Sequence, residues 1–320
     1  MGRKGTDFEL KGLKIVATGK ALPKHSLTNE DMSKLVDTND EWIVTRTGIH
    51  SRFQCREESC LSLAVCAARN AMESGGIRPE QIGLVLVASQ TADYAFPSTA
   101  CLIQKELGLG EEVMAFDISA ACTGFLFSLG TARGLLEALK KPYALLIGSE
   151  QLSRIIDYTD RGTCILFGDG AGAVIVEAAE KEFYQKSWSR GDIGALSCPG
   201  LGKEGQHIQM NGSEVFRFAV TAMQQGISEV LAEKGLTMDD IAHVVCHQAN
   251  ARIIGHVQKK FPGQEEKFFV NIDHYGNTSA ASIPLALDDL NKAGRLKPGQ
   301  KIICVGFGAG LTWSSALLEL

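Results

Sequence analysis

Three residues in this chain have side chains that could do chemistry, and one of them, a cysteine, sits among unusually small neighbours. Cys122 lies in DISAACTGF (117–125), flanked by Ala120, Ala121 and Gly124 and followed by a helix-like apolar run. At the first turn of a helix, unpaired N–H groups and the positive end of the macrodipole favour a thiolate. Small neighbours let a carbonyl carbon approach the sulfur. His247 follows the apolar run AHVVC, in CHQANARI, and Asn277 lies in HYGNTSAAS. A neutral imidazole and a carboxamide both donate hydrogen bonds without a fixed charge. Taken singly, each residue also has an ordinary reading: a small buried thiol, a histidine closing a strand, a turn asparagine beside glycine. Their significance depends on whether the fold brings them together.

The elements that must do so alternate between strand and helix. GLKIVATG (12–19), IGLVLVASQ (82–90), VMAFDIS (113–119) and YALLIGSE (143–150) read as strands, and the continuous apolar runs suit parallel strands buried on both faces. LSLAVCAARNAMESGG (61–76) and TGFLFSLGTARGLLEALK (123–140) have helical spacing, the first ending in glycines. This βαβ rhythm makes the chain α/β. Segments also recur. IRPEQIGLVLVASQ (77–90) is echoed by LTMDDIAHVVCHQA (236–249), which pairs Ile82 with Ile241. FDISAACTGFLFSLGTARGLLEAL (116–139) is echoed by NIDHYGNTSAASIPLALDDLNKAG (271–294), which pairs Cys122 with Asn277. YALLIGSE is echoed by KIICVGFG (301–308). Two similar halves are expected, 1–180 and 181–320, joined where periodicity fades within 178–212. Cys122, His247 and Asn277 each follow a buried strand, and functional groups gather beyond the carboxyl ends of such strands.

Composition excludes several classes. The 320 residues are 45% hydrophobic and 22% charged, with a net charge of −5, so wholesale nucleic-acid binding is not expected. No apolar run reaches membrane-spanning length. Nine cysteines at irregular spacings, without a CxxC pair, argue against a disulfide framework and a structural zinc site, and suit a reducing cytoplasm. No metal is expected. The charged N-terminus is unlike a signal peptide, and Gly2 with Thr6 matches only the loose myristoylation pattern. GDGAG (168–172) precedes a strand-like run rather than a helix, so it is not a dinucleotide loop.

DISAACTGF, HQANARI and HYGNTSAAS, in this order, resemble the Cys, His and Asn motifs of β-ketoacyl-acyl-carrier-protein synthase III, a condensing enzyme of the thiolase superfamily. DTNDEWIVTRTGI (37–49), AFPST (95–99), DRGTCILFGDGAGA (160–173), NGSEVFRFAV (211–220) and FGAGLTW (307–313) resemble family segments too. The resemblance implies a duplicated five-layer αβαβα fold with two central mixed sheets. It implies decarboxylative Claisen condensation of an acyl-CoA primer, acetyl-CoA first among candidates, with malonyl-acyl-carrier protein. Cys122 is then the acylated nucleophile, while His247 and Asn277 hold the malonyl thioester carbonyl. The backbone N–H groups of Cys122 and Ala309 form the oxyanion hole. Trp42, Arg46, Arg161 and Asn250 match positions that hold CoA, and Phe96 and Phe307 match acyl-pocket positions, Phe96 reaching into a dimer partner. No cofactor is implied beyond the CoA and carrier-protein thioesters.

ANARIIGHVQKKF (249–261) supports a further surface. Ile253, Ile254, Val257 and Phe261 form an apolar face, and Arg252, Lys259 and Lys260 share another. A basic rim on an acidic protein suits docking of an acidic carrier protein. Gln248, Ala249, Asn250, Ala251, Arg252, Arg217, Lys259 and Lys260 form the expected docking surface, and a homodimer is expected. The chain departs from the family pattern at Ala309, where glycine is common, and at Ser314 and His50. A left-handed backbone at Ala309 would add strain of about 1 kcal/mol. The rival readings are a Cys-His-Asn starter enzyme of polyketide or other secondary metabolism, and a non-catalytic subunit of a condensing complex.

Overall fold

The computed structural model describes residues 10–200 and 203–320, so Gly2 and Thr6 lie outside the described residues. Two five-stranded sheets carry the fold. The first contains β1 (Gly12–Ala21), β2 (Ile82–Ala88), β3 (Met114–Ile118), β4 (Tyr143–Glu150) and β5 (Gly170–Ala179), in spatial order β3-β2-β4-β5-β1. The second contains β6 (Phe183–Asp192), β7 (Ile241–Cys246), β8 (Phe268–Phe269), β9 (Lys301–Gly308) and β10 (Gly310–Glu319), in order β8-β7-β9-β10-β6. Strand senses match one for one. In each sheet the first two neighbour pairs are parallel and the last two antiparallel. All seven residues of β2 are buried, as a parallel strand covered on both faces requires.

Helices supply the other three layers. Outside the first sheet lie α2 (Cys60–Gly75) and α3 (Thr99–Glu106). Ser59 caps α2 with a reciprocal Ser62 bond, and Gly76 ends it at φ 62°. Outside the second sheet lie α5 (Gly212–Lys234) and α6 (Ala251–Gln258). Between the sheets run α4 (Gly124–Leu136) and α7 (Ser282–Lys292), both apolar on most sides because both faces of this layer are covered. Phe125, Leu126, Leu129, Ile283 and Leu287 join residues of both sheets in one buried cluster. Although α7 belongs to the second half, it packs on β1 and β5, and Thr18 Oγ1 donates to the buried Asp288 at 2.9 Å. The result is a five-layer αβαβα sandwich. A separate cap includes α1 (Asp40–Thr47) and rests on Ile43, Ile49, Ile165 and Ile272.

The matched topology corrects one detail of the repeat. Ile82 and Ile241 do open equivalent strands. However, the turn Ala121–Thr123 before α4 is equivalent to Ser279–Ala281 before α7. Ala121 (φ 46°) and Ser279 (φ 50°) are the only described non-glycine residues in the left-handed region, one per half. Cys122 is thus equivalent to Ala280, not Asn277. The slip arises because a short helix, Ile272–Tyr275, intervenes between β8 and α7. No described helix is long and apolar enough to cross a membrane.

Candidate active site

Cys122 sits in the turn that opens α4, at the positive end of that helix. Its side chain is neither sealed nor on the surface. Removal from water pushes the thiol up to about 12, with the Ser279 side chain pulling the other way. The resting group is a thiol. The thiolate expected from the helix terminus alone has to form against this desolvation.

Strand β9 brings the other groups to the sulfur. A Cβ on Gly308 would lie 2.9 Å from the Cys122 nitrogen, and one on Gly306 would lie 3.1 Å from the His247 Cβ. Residues two apart on a strand face the same side. This pair of glycines therefore makes the floor on which Cys122 and His247 both rest. The GFG spacing is the sequence signal for it, whereas the family resemblance points there only to an acyl-pocket role for Phe307 and an oxyanion role for the neighbouring turn. Ala309 has no left-handed backbone, since Gly310 takes the unusual φ of 143°. The feared strain at Ala309 is absent.

His247 is buried, and desolvation lowers it to about 3, so the ring is neutral at physiological pH. Ser282 Oγ lies 2.7 Å from His247 Nδ1 and accepts from the Gln248 N–H at 3.3 Å. Among the described residues the Ser282 hydrogen has no acceptor but Nδ1. The ring proton then sits on Nε2, as a donor. Phe307 packs edge-on against this ring, 5.5 Å between centroids.

Asn277 is held from three sides. Its N–H donates to Leu166 O at 2.8 Å, its carbonyl accepts from Gly168 N at 3.0 Å, and its Oδ1 accepts from Ser279 N at 2.9 Å. The last is an Asx turn, so the ordinary reading of Asn277 as a turn residue is also correct. Its Nδ2 donors engage no described acceptor. The turn of Asn277 and Ser279 packs against the Cys122 turn, and the Cys122 turn against β9. Cys122 from one half and His247 and Asn277 from the other are thus carried on elements that pack against one another.

The residues expected to bind CoA and the carrier protein form two clusters. Trp42 of α1 carries Arg161 at 4.8 Å and Arg46 at 5.4 Å from its ring centre. Arg161 also donates to Asp37 O at 2.8 Å. Asn250 caps α6 by accepting from Arg252 N at 2.8 Å, and donates to Arg46 O at 3.1 Å, tying the two clusters together. Arg252, Lys259 and Lys260 are exposed along α6, and Arg217 is exposed on α5. Arg252 lies over Phe216, 5.5 Å from its centre, which places Arg217 on the adjoining helix. Ala251 is half-buried against Gly48, whose Cβ would come within 2.4 Å of it.

Two expected docking residues do not reach the surface. Gln248 is 1% exposed, and its amide donates to Cys246 O and Phe269 O and accepts from Asn271 N. Ala249 is 9% exposed, packed in the core under α6. The segment must turn from β7 into α6 here, and Gln248 satisfies the freed backbone groups. Phe96 is the opposite case. It is 86% exposed, whereas Phe307 is buried. Among the described residues no group of three or more His, Cys, Asp and Glu is placed to hold a metal ion.

Two topologically matched α/β halves, with a cysteine at the head of a central helix and neutral His and Asn donors opposite, define a thiolase-like acyltransferase. Comparison with known proteins narrows this. Residues 116–190 match the family described as 3-oxoacyl-[acyl-carrier-protein] synthase III, and residues 231–320 its C-terminal part. β-Ketoacyl-[acyl-carrier-protein] synthase III of Clostridium acetobutylicum is 44% identical, covering 97% of this chain and 99% of its own. The crystal structure of the Aquifex aeolicus synthase III superposes with a TM-score of 0.92 at 43% identity, covering 97% of this chain and 100% of its own. The priming β-ketosynthase of the R1128 polyketide pathway superposes with a TM-score of 0.90 at 33% identity, covering 97% of each chain. This chain belongs to the β-ketoacyl-acyl-carrier-protein synthase III family and is an acyltransferase.

Proposed function

We propose that this chain performs the initiating condensation of fatty acid synthesis, joining an acyl-CoA primer, acetyl-CoA first among candidates, to malonyl-acyl-carrier protein. The observation that supports it best is the pairing of a helix-head cysteine with two donors that carry no charge. Cys122 sulfur attacks the thioester carbon, and the C–S bond to CoA breaks. The Cys122 and Ala309 N–H groups receive the oxyanion, and losing one such donor costs about 3–4 kcal/mol of barrier. His247 Nε2–H and Asn277 Nδ2–H then hold the malonyl thioester oxygen. The C–CO2 bond breaks, its electron pair forms the enolate, and the enolate carbon displaces Cys122 from the acyl group. Neutral donors suit an oxygen that is uncharged before the step and anionic during it.

Trp42, Arg46 and Arg161 bind CoA, with Asn250 holding Arg46 in place. Arg217, Arg252, Lys259 and Lys260 receive the acidic carrier protein, and Asn250 and Ala251 position their helix. Phe307 backs the acyl pocket, and the exposed Phe96 completes it across a homodimer. The halves 1–180 and 181–320 descend from one duplicated unit, and the enzyme works in the cytoplasm. Radiolabelled acetyl-CoA followed by peptide mapping tests the first step, with label expected on the Cys122 peptide. Adding malonyl-acyl-carrier protein then tests for a β-ketoacyl product and CO2. Label elsewhere overturns the mechanism. Product formed only with a specialised carrier protein supports the secondary-metabolism reading instead.

A further inference from the structure

Glu150, the last residue of β4, is fully buried and takes no part in the steps above. Its Oε2 accepts from Thr91 Oγ1 at 2.7 Å and Gln90 N at 3.1 Å, while Oε1 has no hydrogen-bond partner. Leaving a buried carboxylate half-satisfied and without a cation is costly. Its position suggests the use. A Cβ on Gly148 would lie 2.2 Å from Ala280 O, so the end of β4 is pressed against the turn that holds Ser279. The Ser279–Ala281 turn packs on both the end of β4 and the Cys122 turn, and the Ser279 side chain favours the ionised form of Cys122 and of Glu150. The other titratable groups nearby are engaged elsewhere. Cys60 of α2 bonds to Ser149, Asp169 beside the β5 pairing partner is bonded by Ser153 and Cys55, and Arg154 pairs with Asp93.

We propose that Glu150 stores the proton of Cys122, exchanged through the Ser279 hydroxyl. The proposal rests on Cys122 being the acylated nucleophile. As sulfur bonds to the acyl carbon, its proton passes to Ser279 Oγ and the Ser279 hydroxyl proton passes to Glu150 Oε1. CoA leaves as thiolate and takes a proton from solvent. When the enolate displaces Cys122, the sulfur leaves as thiolate and recovers the stored proton by the reverse path. Glu150 is a positioning residue for that proton, acting through Ser279.

Single-turnover release of CoA from acetyl-CoA, measured between pH 5.5 and 9, tests this. In the wild type the acylation rate rises with pH and levels off above about 7, where burial places the Glu150 carboxyl. Glu150→Gln is expected to acylate at least about tenfold more slowly at pH 8 and to lose the inflection. Glu150→Asp is expected to recover part of the rate with a displaced inflection. Ser279→Ala breaks the relay with the carboxylate in place, and is expected to slow acylation and lose the inflection even if Glu150→Gln fails to fold. Wild-type rates and inflection in either folded variant overturn the proposal, as does a slow Glu150→Gln that keeps the inflection. A wild type that never labels on Cys122 overturns the acyl-transfer reading and this proposal with it. Labelling with unaffected variants overturns this proposal alone.

Discussion

Cys122 feels two opposing influences, and their balance can be measured. The helix terminus and the Ser279 side chain favour the thiolate, while loss of water pushes the group up to about 12. Alkylation by iodoacetamide, which consumes thiolate, is therefore expected to rise steadily across pH 7–10 without a plateau. Peptide-level mass spectrometry checks this against the exposed Cys66, Cys101 and Cys198, which are expected to react first. A plateau near pH 7 would show that the dipole outweighs burial. Glu150 carries a prediction of opposite sign for stability and activity. Burial raises its folded value to about 7 from 4.5. Its favourable contribution is complete below about pH 4.5 and is lost as pH rises through 7. Above that, the buried carboxylate costs about 3 kcal/mol, by the energy equivalent of the shift. Glu150→Gln is expected to raise Tm by several degrees at pH 8, with the gain shrinking toward pH 5. Differential scanning calorimetry at both pH values reads this out.

At the scale of elements, α1 and α6 act as a unit. Gly48 ends α1 at φ 76°, where Ala251 of α6 leaves no room for a Cβ, and Asn250 spans the junction by capping α6 and holding Arg46. Asn250→Ala is expected to cost about 1 kcal/mol in chemical denaturation. It is also expected to raise KM for acyl-CoA more than it lowers kcat, because Arg46 loses its anchor while the Cys122 turn is untouched. Steady-state kinetics with varied acyl-CoA check the split. The extents of these elements were legible in the chain. Strand β4 runs over the expected 143–150, and α2 differs from 61–76 by one residue at each end. Apolar runs and glycine stops are local signals, and these elements obey them. Cys122 stood out because its neighbours are small, and His247 and Asn277 through the resemblance of the motifs that hold them. The slip pairing Cys122 with Asn277, and the burial of Gln248, were hidden by contacts far apart in sequence. No local pattern reports that a short helix displaces one turn, or that an amide must satisfy Phe269 O.

The whole molecule is held by its middle layer. Because α7 lies on β1 and β5, and α4 contacts both β9 and β10, neither sheet is covered without the other half. Residues 1–180 produced alone would leave Leu84, Leu86, Val174 and Val176 partly uncovered, an apolar face large enough to drive aggregation. Expression of 1–180 is expected to give insoluble protein, and co-expression with 181–320 to recover soluble complex. Sedimentation of the lysate distinguishes these outcomes. The proposed site lies at this junction for the same reason: Cys122 starts from one half and His247 and Asn277 from the other, and only the packing of the halves brings their elements together.

On the far edge of the second sheet, register sets Trp188 opposite Trp313, and their rings stack 5.7 Å apart at an interplanar angle of 8°. Phe218 then stands edge-on to Trp313 and to Phe307, which meets His247. Two indoles held this close and nearly parallel share their electronic excitations, so the protein carries a built-in chromophore pair. Its near-ultraviolet ellipticity follows the rigidity of the aromatic packing around them. The wall behind the imidazole therefore has an optical signature of its own, without any added label.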